Sequence, residues 1–194
     1  RVTDLDANRG KTDLWVMNVA DGAVRRLTGH ASSSHSAAWA PDGKTIYFLS
    51  ARSGSTQIWK IAIDGGEAEA VTDLPLDVET FKLSPDGTTF ALTAPVYPDL
   101  RTLSETKARL DEKAAEKHTG LVYDQLFIRH WDTWKDGRRS HLFTMPVSGG
   151  DPVDVMGGFD ADVPLKPFGG AEDYTFTPDG KGLVFVCRNV GRSE

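Results

Sequence analysis

The chain has 194 residues, 39% of them hydrophobic and 26% charged, with a formal net charge of −6 at neutral pH. That apolar content suits a soluble globular core, and acidic balance with no basic patch interleaved with aromatics excludes nucleic acid as a partner. No apolar run approaches the ~18 residues of a membrane span, and the single cysteine, Cys187, excludes an internal disulfide and leaves a cytoplasmic, periplasmic or secreted setting equally open.

The chain opens on a short predicted strand at residues 1–5. Asp4, Asp6 and Asn8 follow with an alternating oxygen-ligand spacing, but the glycine is one place out of register for a calcium loop and the twelfth-position glutamate is missing. Residues 13–28 (DLWVMNVADGAVRRLT) read as a strand, a D-G turn and a second strand. Residues 37–50 (AAWAPDGKTIYFLS) are a different hairpin, with Pro-Asp-Gly between two runs rich in aromatic and β-branched residues. Proline presets φ for the first turn position and glycine accepts positive φ, so the tripeptide closes a hairpin.

Both blocks recur. Residues 57–72 and 141–156 repeat the first, and residues 81–94 and 174–187 repeat the second. Asp42 and Asp86 are 44 residues apart, as are Trp15 and Trp59. Two alternating hairpins per ~40–45 residues make a four-stranded unit, the period of a β-propeller blade. Trp15, Trp59 and Phe143 then occupy equivalent positions, with Val19, Ile63 and Val147 four residues on and facing the same way. All of these side chains are expected to pack between blades. Cys187 is expected to be a small buried hydrophobe in the last strand.

The third unit is stretched, with about 40 extra residues between Asp86 and Phe143 and about 9 more before Asp179. The remainder fills a little over three blades, short of the roughly four to eight that close a propeller. The expectation is an all-β, partial propeller of about three to four four-stranded blades with one inserted helix: 1–28 in part, 29–72, 73–156 with the helical insertion near 100–118, and 157–194 in part. A complete small propeller is the alternative. An open array leaves unpaired strand edges and apolar blade faces, which predicts self-association.

The insertion breaks the strand pattern at residues 100–118, which are charged, alanine-rich and free of Gly and Pro. Thr102 and Glu105 have capping-box spacing, Leu103, Leu110 and Ala114 form a narrow apolar stripe, and Glu105 and Arg109 are placed for an i, i+4 pair. Gly120 supplies a stop. Next comes the densest run of unusual residues in the chain, 123–143, where Leu126, Ile128 and His130 alternate with Phe127, Arg129 and Trp131 at strand period. Arg129, His130, Trp131, Asp132 and Trp134 are the candidate binding residues: an arginine beside a carboxylate and two indoles suits a peptide carboxylate or backbone. Strand alternation puts Arg129 and Trp131 on one face, with His130 and Asp132 on the other. The alternative is an internal lock, with Arg129 paired to Asp132 and both indoles in the core. Asp136-Gly137 turns the chain into the next strand.

Other chemistry has no support. The five histidines are dispersed without zinc-ligand spacing, so no metal is expected. Gly65-Gly66 and Gly149-Gly150 are hairpin turns, lacking the Lys-Ser/Thr of a phosphate loop. Gly29-His30 followed by Trp59 imitates a WD repeat in one unit alone. No G-x-S-x-G elbow occurs, so no catalytic residue and no cofactor is assigned.

The opening at residues 4–16, the P-D-G hairpins, the charged helix and FIRHWDTW (127–134) together resemble the amino-terminal propeller of prolyl oligopeptidase family serine peptidases, of the bacterial dipeptidyl peptidase and acylaminoacyl peptidase type. The P-D-G hairpins alone are shared with TolB-like propellers. The resemblance implies a parent in which a propeller gates a carboxy-terminal α/β-hydrolase domain and helps bind short peptides, while a Ser-Asp-His triad outside this segment performs acyl transfer. The segment alone is expected to be inert. The alternative function is a TolB-like scaffold that binds proteins.

Overall fold

The computed structural model describes residues 1–120, 122–123 and 129–188. Alternating hairpins build its sheets. Strands β1 (Val2–Asp4) and β2 (Arg9–Lys11) pair with each other, as do β3 (Trp15–Met17) and β4 (Val24–Arg26). Strands β5 (Ser34–Trp39), β6 (Thr45–Ser50), β7 (Gln57–Ala62) and β8 (Glu69–Ala70) form an antiparallel four-stranded sheet in chain order.

Strands β9 (Thr80–Leu83) and β10 (Thr89–Val96) open a second such sheet. It is interrupted by α1 (Leu103–Ala115) and the small hairpin β11 (Arg129–His130) and β12 (Thr133–Trp134). Strands β13 (Arg139–Pro146) and β14 (Val153–Asp154) then complete it. A last hairpin joins β15 (Tyr174–Phe176) and β16 (Leu183–Phe185). This is a partial β-propeller with one inserted helix.

The repeat is exact at the level of backbone register. Trp15 pairs Arg26, Trp59 pairs Ala70 and Phe143 pairs Asp154, each partner 11 residues on. The same auxiliary bond recurs beside each pair: the Leu14 and Ile58 N–H groups donate to Thr28 and Thr72 Oγ1, both at 2.9 Å, and the Leu142 N–H reaches Met156 Sδ at 3.3 Å. Each P-D-G turn closes identically, with Gly43, Gly87 and Gly180 at φ +65°, +74° and +72° and the aspartate side chain accepting the backbone N–H two residues on.

The core lies between sheets because both faces of the middle strands are apolar. Tyr47, Leu49 and Ile58 of one sheet meet Phe81, Phe90, Leu92 and Phe143 of the next. Phe90 takes Tyr47 and Phe81 edge-on at 5.2 and 5.8 Å. The alternate residues Ile46 and Phe48 pack toward Leu27, Leu14 and Val16, while Ala91 and Leu142 pack toward Val163 and Tyr174. A fully buried Phe or Leu contributes about 1.5–3 kcal/mol relative to exposure.

Two packing expectations fail locally. Trp59 is half-buried and Phe143 buried, but Trp15 is 60% exposed and Val19 90%. In the other sheets a strand such as β6 lies against the far edge of β7. Strand β3 has no such neighbour among the described residues, and while its Val16 faces the next sheet, the opposite face with Trp15 and Met17 is uncovered. Cys187 is half-buried against the last core cluster rather than enclosed.

Candidate functional site

Antiparallel order sorts the connections onto two rims. One rim carries only tight turns: the P-D-G turns and the glycine turns between third and fourth strands. The opposite rim carries every long connection, including the 96–139 excursion and the 154–174 loop. Short turns support the scaffold, and long loops held on rigid strands are where binding residues concentrate.

On that long-loop rim α1 is docked tightly. Thr102 Oγ1 accepts the Glu105 N–H while Glu105 Oε2 accepts the Arg101 and Thr102 N–H groups, a complete capping box. Leu103 and Thr106 are buried, Leu110 is half-buried and Ala114 exposed, so the apolar stripe covers the helix's first two turns only. The Arg109 guanidinium stands 4.6 Å from the Tyr97 ring centroid and the Lys113 ammonium 4.9 Å, and Thr106 Oγ1 accepts the Tyr97 N–H.

The expected Glu105–Arg109 pair does not form. Glu105 is committed to the cap, and Arg109 makes a two-pronged bond to Asp99 at 2.9 and 2.7 Å instead. That bond lowers the Asp99 pKa and raises that of Arg109. The helix ends at Ala115 with Glu116 as its cap, ahead of Gly120.

The 129–134 run is a hairpin with a two-residue loop, Trp131 and Asp132, rather than one continuous strand. Trp131 takes φ +51°, a conformation costing a non-glycine residue on the order of 1–3 kcal/mol. The turn breaks the expected alternation. Arg129 lies directly opposite Trp134, its guanidinium 5.2 Å from that ring, and Tyr123 stacks on the same indole at 5.9 Å.

The internal lock is not what forms: Arg129 faces the Trp134 ring, no ion pair joins it to Asp132 among the described residues, and Trp131 and Trp134 are 71% and 52% exposed. Phe168, from the 154–174 loop, meets Trp131 edge-on at 5.4 Å and is itself 74% exposed. Sequence reasoning passed over Phe168, whose only signal was its place in the second insertion. His130 pairs with Thr133 through the backbone. The predicted strand residues Leu126, Phe127 and Ile128 lie outside the described residues.

A polar cluster ties the start of β13 to the 154–174 loop. The Arg139 side chain, 8% exposed, donates from Nε to Asp160 (2.7 Å) and from Nη1 to Asp162 (3.0 Å). Burial alone would lower its pKa, but the two carboxylates outweigh burial and the net shift is upward. Ser140 donates to Glu79, which also meets Lys166 at 3.1 Å. Buried His141 has Nδ1 2.8 Å from Asp154 Oδ2 and Nε2 3.1 Å from the Phe159 carbonyl, tying β13 to the 154–174 loop. A cleft of about 530 Å³ runs between this loop and the start of α1, lined by Asp99, Arg101, Val153, Asp154 and Gly157.

Among the described residues no group of three or more His, Cys, Asp or Glu is placed to hold a metal ion, and no helix is long and apolar enough to cross a membrane. The rim offers cations, aromatic faces and carboxylates fixed on a rigid frame, which is equipment for binding.

Comparison with known proteins agrees with this architecture. Residues 3–109 match the TolB beta propeller domain family. The chain is 32% identical over 187 residues to dipeptidyl-peptidase 5 of Porphyromonas endodontalis, which covers 93% of this chain and 26% of that protein. The chain thus spans about a quarter of the length of the curated relatives it matches. Among solved structures, a TolB protein from Agrobacterium tumefaciens superposes with a TM-score of 0.54 at 20% identity, over 91% of this chain and 50% of that one. Pyrococcus horikoshii acylaminoacyl peptidase superposes with a TM-score of 0.53 at 16% identity, over 77% of this chain and 21% of that one.

Proposed function

Because this chain belongs to the TolB β-propeller family and is a propeller segment of the prolyl oligopeptidase peptidase type, we propose that it gates and binds short peptides for a carboxy-terminal α/β-hydrolase domain of the same protein. The blades run over 29–72 and 73–156, with parts of others at 1–28 and 157–194. Acyl transfer belongs to the serine of the hydrolase domain, and this segment contributes no reacting group.

The observation that carries the reading is the concentration of exposed Arg129, Trp131, Trp134 and Phe168 on the rim that holds both insertions. A guanidinium held by an indole presents in-plane donors to a peptide carbonyl or carboxylate. The Trp131–Phe168 pair offers an apolar edge to a peptide side chain, and the pairing of Arg129 with Trp134 and of His130 with Thr133 holds the hairpin whose loop carries Trp131 and Asp132.

Assay of the full-length protein on dipeptidyl and acyl-aminoacyl substrates, with labelling by a serine-directed fluorophosphonate, tests this. Turnover that is lost with the labelled serine supports the reading. A second reading, a TolB-like scaffold that binds proteins, is favoured by the family match itself. A full-length protein that neither turns over substrate nor labels would support that scaffold instead.

A further inference from the structure

The 51–56 loop, which joins β6 to β7 on the long-loop rim, holds a half-buried arginine, Arg52, clamped between two rings and two hydroxyls. Arg26, Arg109, Arg138 and Arg139 each meet a carboxylate. Arg52 has none within ion-pair distance among the described residues. Its guanidinium is half-buried, 5.0 Å from the centroids of both Phe48 and Trp59. Nε donates to Ser50 Oγ (3.2 Å) and Nη2 to Ser34 Oγ (3.0 Å), both uncharged acceptors. The Ser50 hydroxyl is itself committed to the Ser33 carbonyl at 2.8 Å. Both Nη1 protons and one Nη2 proton therefore have no protein acceptor among the described residues.

We propose that Arg52 is the centre of a carboxylate-binding site on this rim, taking a carboxylate of a peptide chain. Two rings and two hydroxyls hold the planar fork in one orientation, so little side-chain freedom is lost when an oxyanion docks. Half-burial strengthens the attraction relative to an open surface. Burial also lowers the Arg52 pKa, with Glu67 opposing only through longer-range attraction, as fits a cation that lacks its counter-charge. Access is open: the loop beside it is Ser53, Gly54 and Ser55, and a Cβ on Gly54 would meet nothing within 4 Å. The inference does not depend on the peptidase reading, since a scaffold would use the same site.

The test is a titration of the full-length protein, following Trp59 emission as the difference from a Trp59→Phe variant. Three probes are used: N-acetyl-Ala-Ala with a free carboxylate, its carboxamide, and N-acetyl-Glu amide. A saturable change with the first alone assigns the site to a peptide C-terminus. Equal response to the first and third assigns it to any carboxylate, and response to the third alone to an acidic side chain. Arg52→Gln should abolish the response, and Arg52→Lys, which keeps charge but loses the fork, should weaken it about tenfold or more. A matching response to the carboxamide, a response undiminished in Arg52→Gln, or no saturable change with either acid overturns the proposal. Melting curves of both variants confirm that they are folded.

Discussion

Pro41 lies against Gly87: a Cβ built on Gly87 would come to 2.7 Å from Pro41 Cδ. The P-D-G turn of one sheet thus stacks on that of the next, and the series continues at Gly180, where a Cβ would come to 3.6 Å from Pro85 Cδ. Gly87 is required twice, for its φ of +74° and for the space. Gly43 shares the conformation, at φ +65°, but has nothing within 4 Å. Gly43→Ala should therefore cost about 1–2 kcal/mol from the left-handed backbone alone. Gly87→Ala should cost at least ~1 kcal/mol more through overpacking. Urea unfolding of the two variants checks this, and equal losses would mean that the turns do not stack.

The turn aspartates predict acid sensitivity. Side-chain and backbone hydrogen bonds hold Asp42, Asp86 and Asp179 below the ordinary carboxylate value of 3.8. A carboxylate with a depressed folded pKa stabilises the fold above its unfolded pKa. That stabilisation is lost as pH falls through the folded value. Stability should therefore decline from about pH 4 downward. A triple Asp→Asn variant, which keeps an acceptor oxygen but cannot titrate, should flatten the decline. Unfolding midpoints across acid pH measure it, and an unchanged slope in the triple variant would remove these turns as its source.

How much of this was legible follows from where regular chemistry recurs. The P-D-G and glycine turns, the capping box and the 11-residue pairing of Trp15 with Arg26, Trp59 with Ala70 and Phe143 with Asp154 are local, so sequence spacing reveals them. The hairpin at Trp131 was hidden because its loop has no Gly or Asn at the position of positive φ, the usual signal of such a turn. Arg109 was misassigned because Asp99 outcompetes Glu105, a choice made by the fold of the chain ahead of the helix. Arg139 with Asp160 and Asp162, and Phe168 against Trp131, join residues more than 20 positions apart, and no period in the sequence links them.

The Arg139 site should behave as a buried charge cluster. Arg139→Ala leaves Asp162, whose side chain is only 11% exposed, without its cation. Removing one partner of such a pair costs about 3 kcal/mol or more. Calorimetric or urea unfolding should show that loss. A cost near that of an exposed surface pair would mean that water replaces the arginine freely.

The 194-residue segment by itself should associate. Val2, Leu5, Trp15, Met17, Val19 and Val24 are exposed on the first two hairpins, as are Val184 and Val186 at the last. Exposed apolar groups beside open strand edges favour association. Sedimentation coefficients should rise with concentration. A concentration-independent, cooperatively folded monomer would mean that these faces are satisfied within the segment.

The central claim is that the long-loop rim binds peptide for a hydrolase elsewhere in the same protein. Steady-state kinetics of the full-length protein carrying Arg129→Ala, Trp131→Ala or Phe168→Ala, on a short peptide substrate, test it most directly. The account predicts a KM raised about tenfold or more, with kcat reduced less, because uniform binding is lost while the reacting groups are untouched. KM and kcat unchanged in all three variants would contradict it.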